Sequence, residues 1–116
     1  MRVLQSSLMI AALCGLSACA SREIYHWGRY EGLVYDMYAK PGKADAGTQI
    51  AQLTEDIDQA HAVGKPVPPG VHAQLGYVYY QQGNLGGAER EFQTEKTLFP
   101  ESALFIDGLL QRMSRQ

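Results

Sequence analysis

The stretch PGVHAQLGYVYYQQGNLGGAEREFQTEKTLFPES, Pro69 to Ser102, decides the fold. Pro68-Pro69-Gly70 forms a rigid approach to a helix, and prolines are tolerated there because first-turn N–H groups lack helical partners anyway. The helix is expected from about Val71 to Gln82. Gly83-Asn84 then reads as a tight turn. A second helix follows from about Leu85 to Phe99 and stops at Pro100, since proline cannot continue the hydrogen-bond ladder. The stretch is therefore a helical hairpin.

Working outward, Ser102 to Met113 reads as another helix, with Ile106, Leu109, Leu110 and Met113 on its buried face. Upstream, Trp27, Tyr30, Val34 and Met37 recur at i, i+3, i+7 and i+10 with Leu33 beside them, one face of a helix. Lys40-Pro41-Gly42 ends it, and the small polar stretch to Gly47 is a loop. Ile50, Leu53, Ile57 and Ala60 mark a further helix, with Glu55, Asp56 and Asp58 as its acidic outer surface and Gly64 and Pro66 as its stop. Nothing alternates with period two over a convincing length. The expected fold class is all-α, with about five helices.

Pro69 to Ser102 resembles one tetratricopeptide repeat, a 34-residue helix-turn-helix unit with apolar and small residues at set offsets. Leu75 and Gly76 take the Leu-Gly pair of its first helix and Tyr79 its aromatic position. Gly83 takes the turn, Ala88 the small residue at the helix crossing, and Phe92 the aromatic one turn further on. Leu98 and Pro100 match the closing Leu-x-Pro. Small side chains at Gly76 and Ala88 let the helices approach, while Phe92 and Tyr79 fill the wedge beyond. Two positions depart from the pattern. His72 stands where a large apolar residue is usual, and Glu95 where a small residue packs on the following helix, which bears on how the last helix sits. Pro66 lies one repeat period before Pro100, and Ile50 to Ala60 suits a second-helix role. Residues 27–64 are therefore expected as a degenerate helical pair, and residues 65–116 as the repeat plus a C-terminal capping helix. One repeat cannot bury its face alone, so the flanking helices must complete the core. In such repeats the first helix lines the inner groove. The resemblance thus implies a partner-binding face at Gly70, Ala73, Tyr77, Tyr80 and Gln81, where tyrosines three apart share a side. Tyrosine brings large area and a hydroxyl at little rotamer cost.

The N-terminus carries a second signal. Arg2, an apolar run from Leu8 to Leu16, and the small residues Ser17 and Ala18 have the layout of a secretory signal peptide. The run falls well short of the ~20 residues that span a membrane. Leu16-Ser17-Ala18-Cys19 resembles a bacterial lipobox, which implies removal of residues 1–18 and a covalent lipid on Cys19, with residues 19–26 as lipidated cysteine and tether. Multiple acyl chains would give stable anchoring, at roughly 0.8 kcal/mol per buried methylene. Ala20, rather than Asp, after the cysteine resembles the outer-membrane sorting pattern of Gram-negative lipoproteins. Removal of residues 1–18 takes Arg2 alone among the charged residues and leaves the twelve acids in excess. Such a balance argues against a nucleic-acid partner. Cys14 is lost with the signal and Cys19 is occupied by lipid, so no thiol remains for a disulfide, a nucleophile or a metal.

The remaining side chains carry no catalytic pattern. His26, His61 and His72 share no metal-ligand spacing and read as solvated or packing histidines. Glu55, Asp56 and Asp58, like Glu89, Glu91 and Glu95, read as solvated helix faces rather than carboxylates held in a cleft. Ser and Thr lack a glycine elbow, and the glycines of 83–87 belong to the repeat turn. No enzyme, cofactor or small-molecule substrate is expected. The lipobox, the Tyr25-His26-Trp27-Gly28-Arg29-Tyr30 start and the single repeat also resemble a family of small proteobacterial lipoproteins with a domain of unknown function, encoded near a lipoprotein like the curli export pore. That resemblance implies a periplasm-facing, lipid-anchored adaptor or accessory subunit of an outer-membrane secretion or assembly complex, its partner a protein such as a pore lipoprotein. A pilotin-like chaperone escorting a pore subunit, or a structural lipoprotein contacting peptidoglycan, is the alternative.

Overall fold

The computed structural model of the chain describes residues 22–115. The signal segment 1–18 and the lipidation site Cys19 lie outside the described residues. Within them the protein is all-α: α1 (Tyr30–Ala39), α2 (Ala46–Ala62), α3 (Val71–Gln81), α4 (Leu85–Leu98), a 3₁₀ turn (Pro100–Ser102) and α5 (Ala103–Met113).

The first helix begins at Tyr30, one turn later than the apolar spacing from Trp27 suggests. The approach is diverted by a polar contact. The Arg29 backbone N–H donates to the Asp56 carboxylate at 3.0 Å, and the Arg29 guanidinium pairs with Glu55. Trp27 instead stacks on Tyr30, ring centroids 6.4 Å apart. On α2, Asp45 caps the N-terminus by accepting from the Thr48 N–H at 2.7 Å. The same role falls to Asn84 on α4, which accepts from the Gly87 N–H at 3.0 Å. Capping side chains stabilise a helix by satisfying N–H groups that have no partner within it.

The central helix α3 packs on both sides. Toward α1 and α2, Leu33, Leu53, Ile57, Ala60, Val67, Val71 and Leu75 form one buried cluster. Toward α4 and α5, Ala88, Phe92 and Ile106 form a second. Tyr79 contacts both clusters and joins them. Each fully buried Leu, Ile or Phe stabilises the fold by roughly 1.5–3 kcal/mol. The crossing of α3 and α4 turns on Gly76. A Cβ there would lie 2.8 Å from Phe92 Cδ1 and 3.2 Å from the Ala88 carbonyl oxygen, so the helices meet at a distance that a side chain would forbid.

Buried polar groups are matched across helices. Gln74 Nε2 on α3 donates to Gln49 Oε1 on α2 at 3.0 Å, and Gln49 Nε2 donates to the Ala44 carbonyl at 2.8 Å. Three of the acids expected on solvated faces are drawn inward. Asp56 is buried against the approach to α1, Glu91 meets His72, and Glu95 is buried beneath the start of α3. Helical periodicity places these carboxylates on the polar flank. It does not foresee that backbone N–H groups need acceptors at Asp56 and Glu95, or that the His72 ring meets Glu91.

Candidate functional site: a cleft between the third and fifth helices

On α3, Gly70, Ala73, Gln74 and Tyr77 follow one another at i, i+3, i+4 and i+7, and on α5 Phe105, Leu109 and Arg112 do so at i, i+4 and i+7. Each set is therefore one face of its helix. The two faces line an open cleft of about 410 Å³, with Tyr30 of α1 at its side. A smaller hollow of about 190 Å³ adjoins it, lined by Tyr77, Tyr80, Phe92, Leu109, Arg112 and Met113. Tyr77, Leu109 and Arg112 belong to both, so the two form one continuous surface. Tyr77 and Tyr80 lean together, ring centroids 6.5 Å apart.

The cleft rests on a firm floor. Glu95 of α4 reaches the start of α3, where its carboxylate accepts from the Gly70 N–H at 2.8 Å and the Ala73 N–H at 3.2 Å. It serves as a cap supplied from another helix, since Gly70 in the N-cap position has no side chain to give. Gly70 sits at φ +95°, a conformation that glycine alone adopts readily, with the Tyr30 hydroxyl 3.0 Å from where a Cβ would stand. Burial raises the Tyr30 phenol above its ordinary 10.0, with the Glu95 carboxylate and then Tyr38 adding to the shift. The phenol therefore stays protonated at neutral pH, available as a donor at the edge of the cleft. One helical turn away, His72 Nδ1 lies 2.7 Å from Glu91 Oε2. That contact ties α3 to α4 where an apolar side chain was expected.

Of the residues assigned to the partner face, Gly70, Ala73 and Tyr77 line the larger cleft and Tyr80 the smaller hollow. Gln81 is exposed at the end of α3 and is not among the residues lining either. Of the positions matched to the repeat, Gly76, Ala88 and Phe92 are buried at the α3–α4 crossing, and Leu75 is buried in the cluster facing α1 and α2. Tyr79 is half-buried, Gly83 makes the turn at φ +75°, and Leu98 and Pro100 are exposed. Sequence reading missed the opposite wall. It placed Leu109 in the core and gave no role to Phe105 or Arg112, although their spacing is a second stripe beside the Ile106 face. Phe105 remains 60% exposed, a large apolar cost unless something covers it.

Chemically, the joined surface offers aromatic area, the three phenol hydroxyls of Tyr30, Tyr77 and Tyr80, and one guanidinium. Among the described residues, no three His, Cys, Asp or Glu side chains gather to hold a metal, and no helix is long and apolar enough to cross a membrane.

A family model described as a domain of unknown function, DUF4810, matches residues 24–109. The match covers all of α1 to α4 and the first part of α5, including both walls of the cleft except Arg112. No curated protein and no solved structure matches the chain.

Proposed function

The chain belongs to this family of unknown function, and from that premise we propose that it is a lipid-anchored protein-interaction module. It would be an adaptor or accessory subunit of an outer-membrane assembly, facing the periplasm. The observation that carries the reading is the cleft. An open aromatic groove with the exposed Arg112 guanidinium on its wall is a surface for a peptide or a partner helix. Partner contacts of this kind concentrate their energy in a few Tyr and Arg anchors. The tetratricopeptide-like hairpin supports the same side of α3 as the recognition face. Leu16-Ser17-Ala18-Cys19 supports the anchor and Ala20 the outer-membrane destination. The resemblance to lipoproteins encoded beside a curli-export-pore-like protein supports a pore lipoprotein as the class of partner.

Crosslinking and pull-down from native membranes test the reading. Tyr77→Ala combined with Tyr80→Ala should weaken partner capture by about tenfold or more, the loss of a single modest hot spot. Helicity by circular dichroism should be unchanged. Full capture by the double variant would remove the cleft as the binding face. Stable recovery with the mature pore supports the adaptor, whereas recovery only with unassembled subunit would reassign the chain as an escorting chaperone.

A further inference from the structure

The end of the bundle where the described residues begin carries exposed apolar side chains that the cleft does not use. Ile24 is 71% exposed and Leu98 50% exposed. With Tyr25, Val67 and Phe99 they line a shallow apolar pocket of about 320 Å³. The segment is held in place: Tyr25 packs on Phe99, ring centroids 6.3 Å apart, and the His26 N–H donates to the Pro66 carbonyl at 3.4 Å. Contiguous exposed apolar surface of this kind marks a contact site.

Chain length identifies what covers it. Five residue steps separate Cys19 from Ile24, at most about 17–18 Å of fully extended backbone. On the reading that Cys19 carries lipid, Ile24 can never stand further than that from the membrane interface. We propose that this end, Ile24, Tyr25, Leu98 and Phe99, lies against the phospholipid surface and fixes the orientation of the domain. Leu98 and Leu85 stand at opposite ends of α4, about 20 Å apart. The Gly83-Asn84 turn would therefore point away from the bilayer. The anchor and this apolar end together hold the recognition face at a set height, where a loose tether would let it tumble.

The test uses the full lipidated chain, purified from membranes and reconstituted in phosphatidylethanolamine–phosphatidylglycerol vesicles that contain nitroxide-labelled lipid. Mass spectrometry of Cys19 decides the lipid separately. With Cys19 occupied, a thiol introduced by Leu98→Cys, Ile24→Cys or Gln82→Cys takes an environment-sensitive fluorophore alone. The expected result is quenching several-fold stronger at positions 98 and 24 than at 82, with circular dichroism unchanged. Equal quenching at all three, or none at 98 and 24, on a chain whose Cys19 is lipidated overturns the orientation and leaves the anchor intact. An unmodified Cys19 overturns both.

Discussion

Glu95 departs from the repeat pattern, and its surroundings explain the departure. Helix α3 starts at Gly70, which has no side chain to satisfy the first N–H groups, and the Glu95 carboxylate supplies both acceptors from α4. A small residue at that position would pack but would leave two part-buried N–H groups unmet. Glu95→Ala should therefore cost about 1–3 kcal/mol in urea denaturation. Glu95→Gln keeps one amide oxygen and should recover part of that loss. Full recovery by Glu95→Gln would show that packing rather than acceptance by both oxygens is at stake. The sequence marked Glu95 as an exception and His72 as another. It could not show that each is answered by a partner on the facing helix.

Helix α2 shows what a single element owes to its cap. The Thr48 backbone N–H, followed by the Thr48 side chain, holds the Asp45 carboxyl below its ordinary 3.8. A depressed carboxylate contributes stability above its unfolded value, and that contribution disappears as pH falls through the folded value. Asp45→Asn retains an acceptor that does not titrate. In thermal melts followed by circular dichroism, the native chain should lose stability relative to Asp45→Asn as pH falls below 3.8, with no such divergence at neutral pH. Parallel curves throughout would discount the cap. The helices themselves were largely legible, because apolar spacing, proline stops and the Gly83-Asn84 turn are local signals. Trp27 was not: its place in the apolar spacing suggested helix, but a contact from Arg29 to Asp56, distant in sequence, sets the start at Tyr30.

At the scale of the molecule, two small clusters share one central helix, with Tyr79 packed against both. Ile106 is fully buried and closes the second cluster over Phe92 and Ala88. Ile106→Ala should cost about 2–5 kcal/mol. Because Tyr79 touches both clusters, near- and far-ultraviolet circular dichroism should still lose signal in one coincident transition. Separate transitions would mean that the C-terminal half unfolds alone. The candidate site divides along the same line. Ala73, Tyr77 and Tyr80 could be found because they occupy one face of one helix, a property of spacing. Phe105, Leu109 and Arg112 could not be matched to them, because the facing wall depends on where α5 turns after the Pro100–Ser102 turn. By itself the sequence determined the helical class, the hairpin and the tyrosine face, all consequences of the 3.6-residue period and of residues that stop it. Only the tertiary structure decided which carboxylates go inward, where α5 lies, and that two helix faces meet as a cleft. Those depend on unmet backbone donors and on packing between residues far apart in the chain.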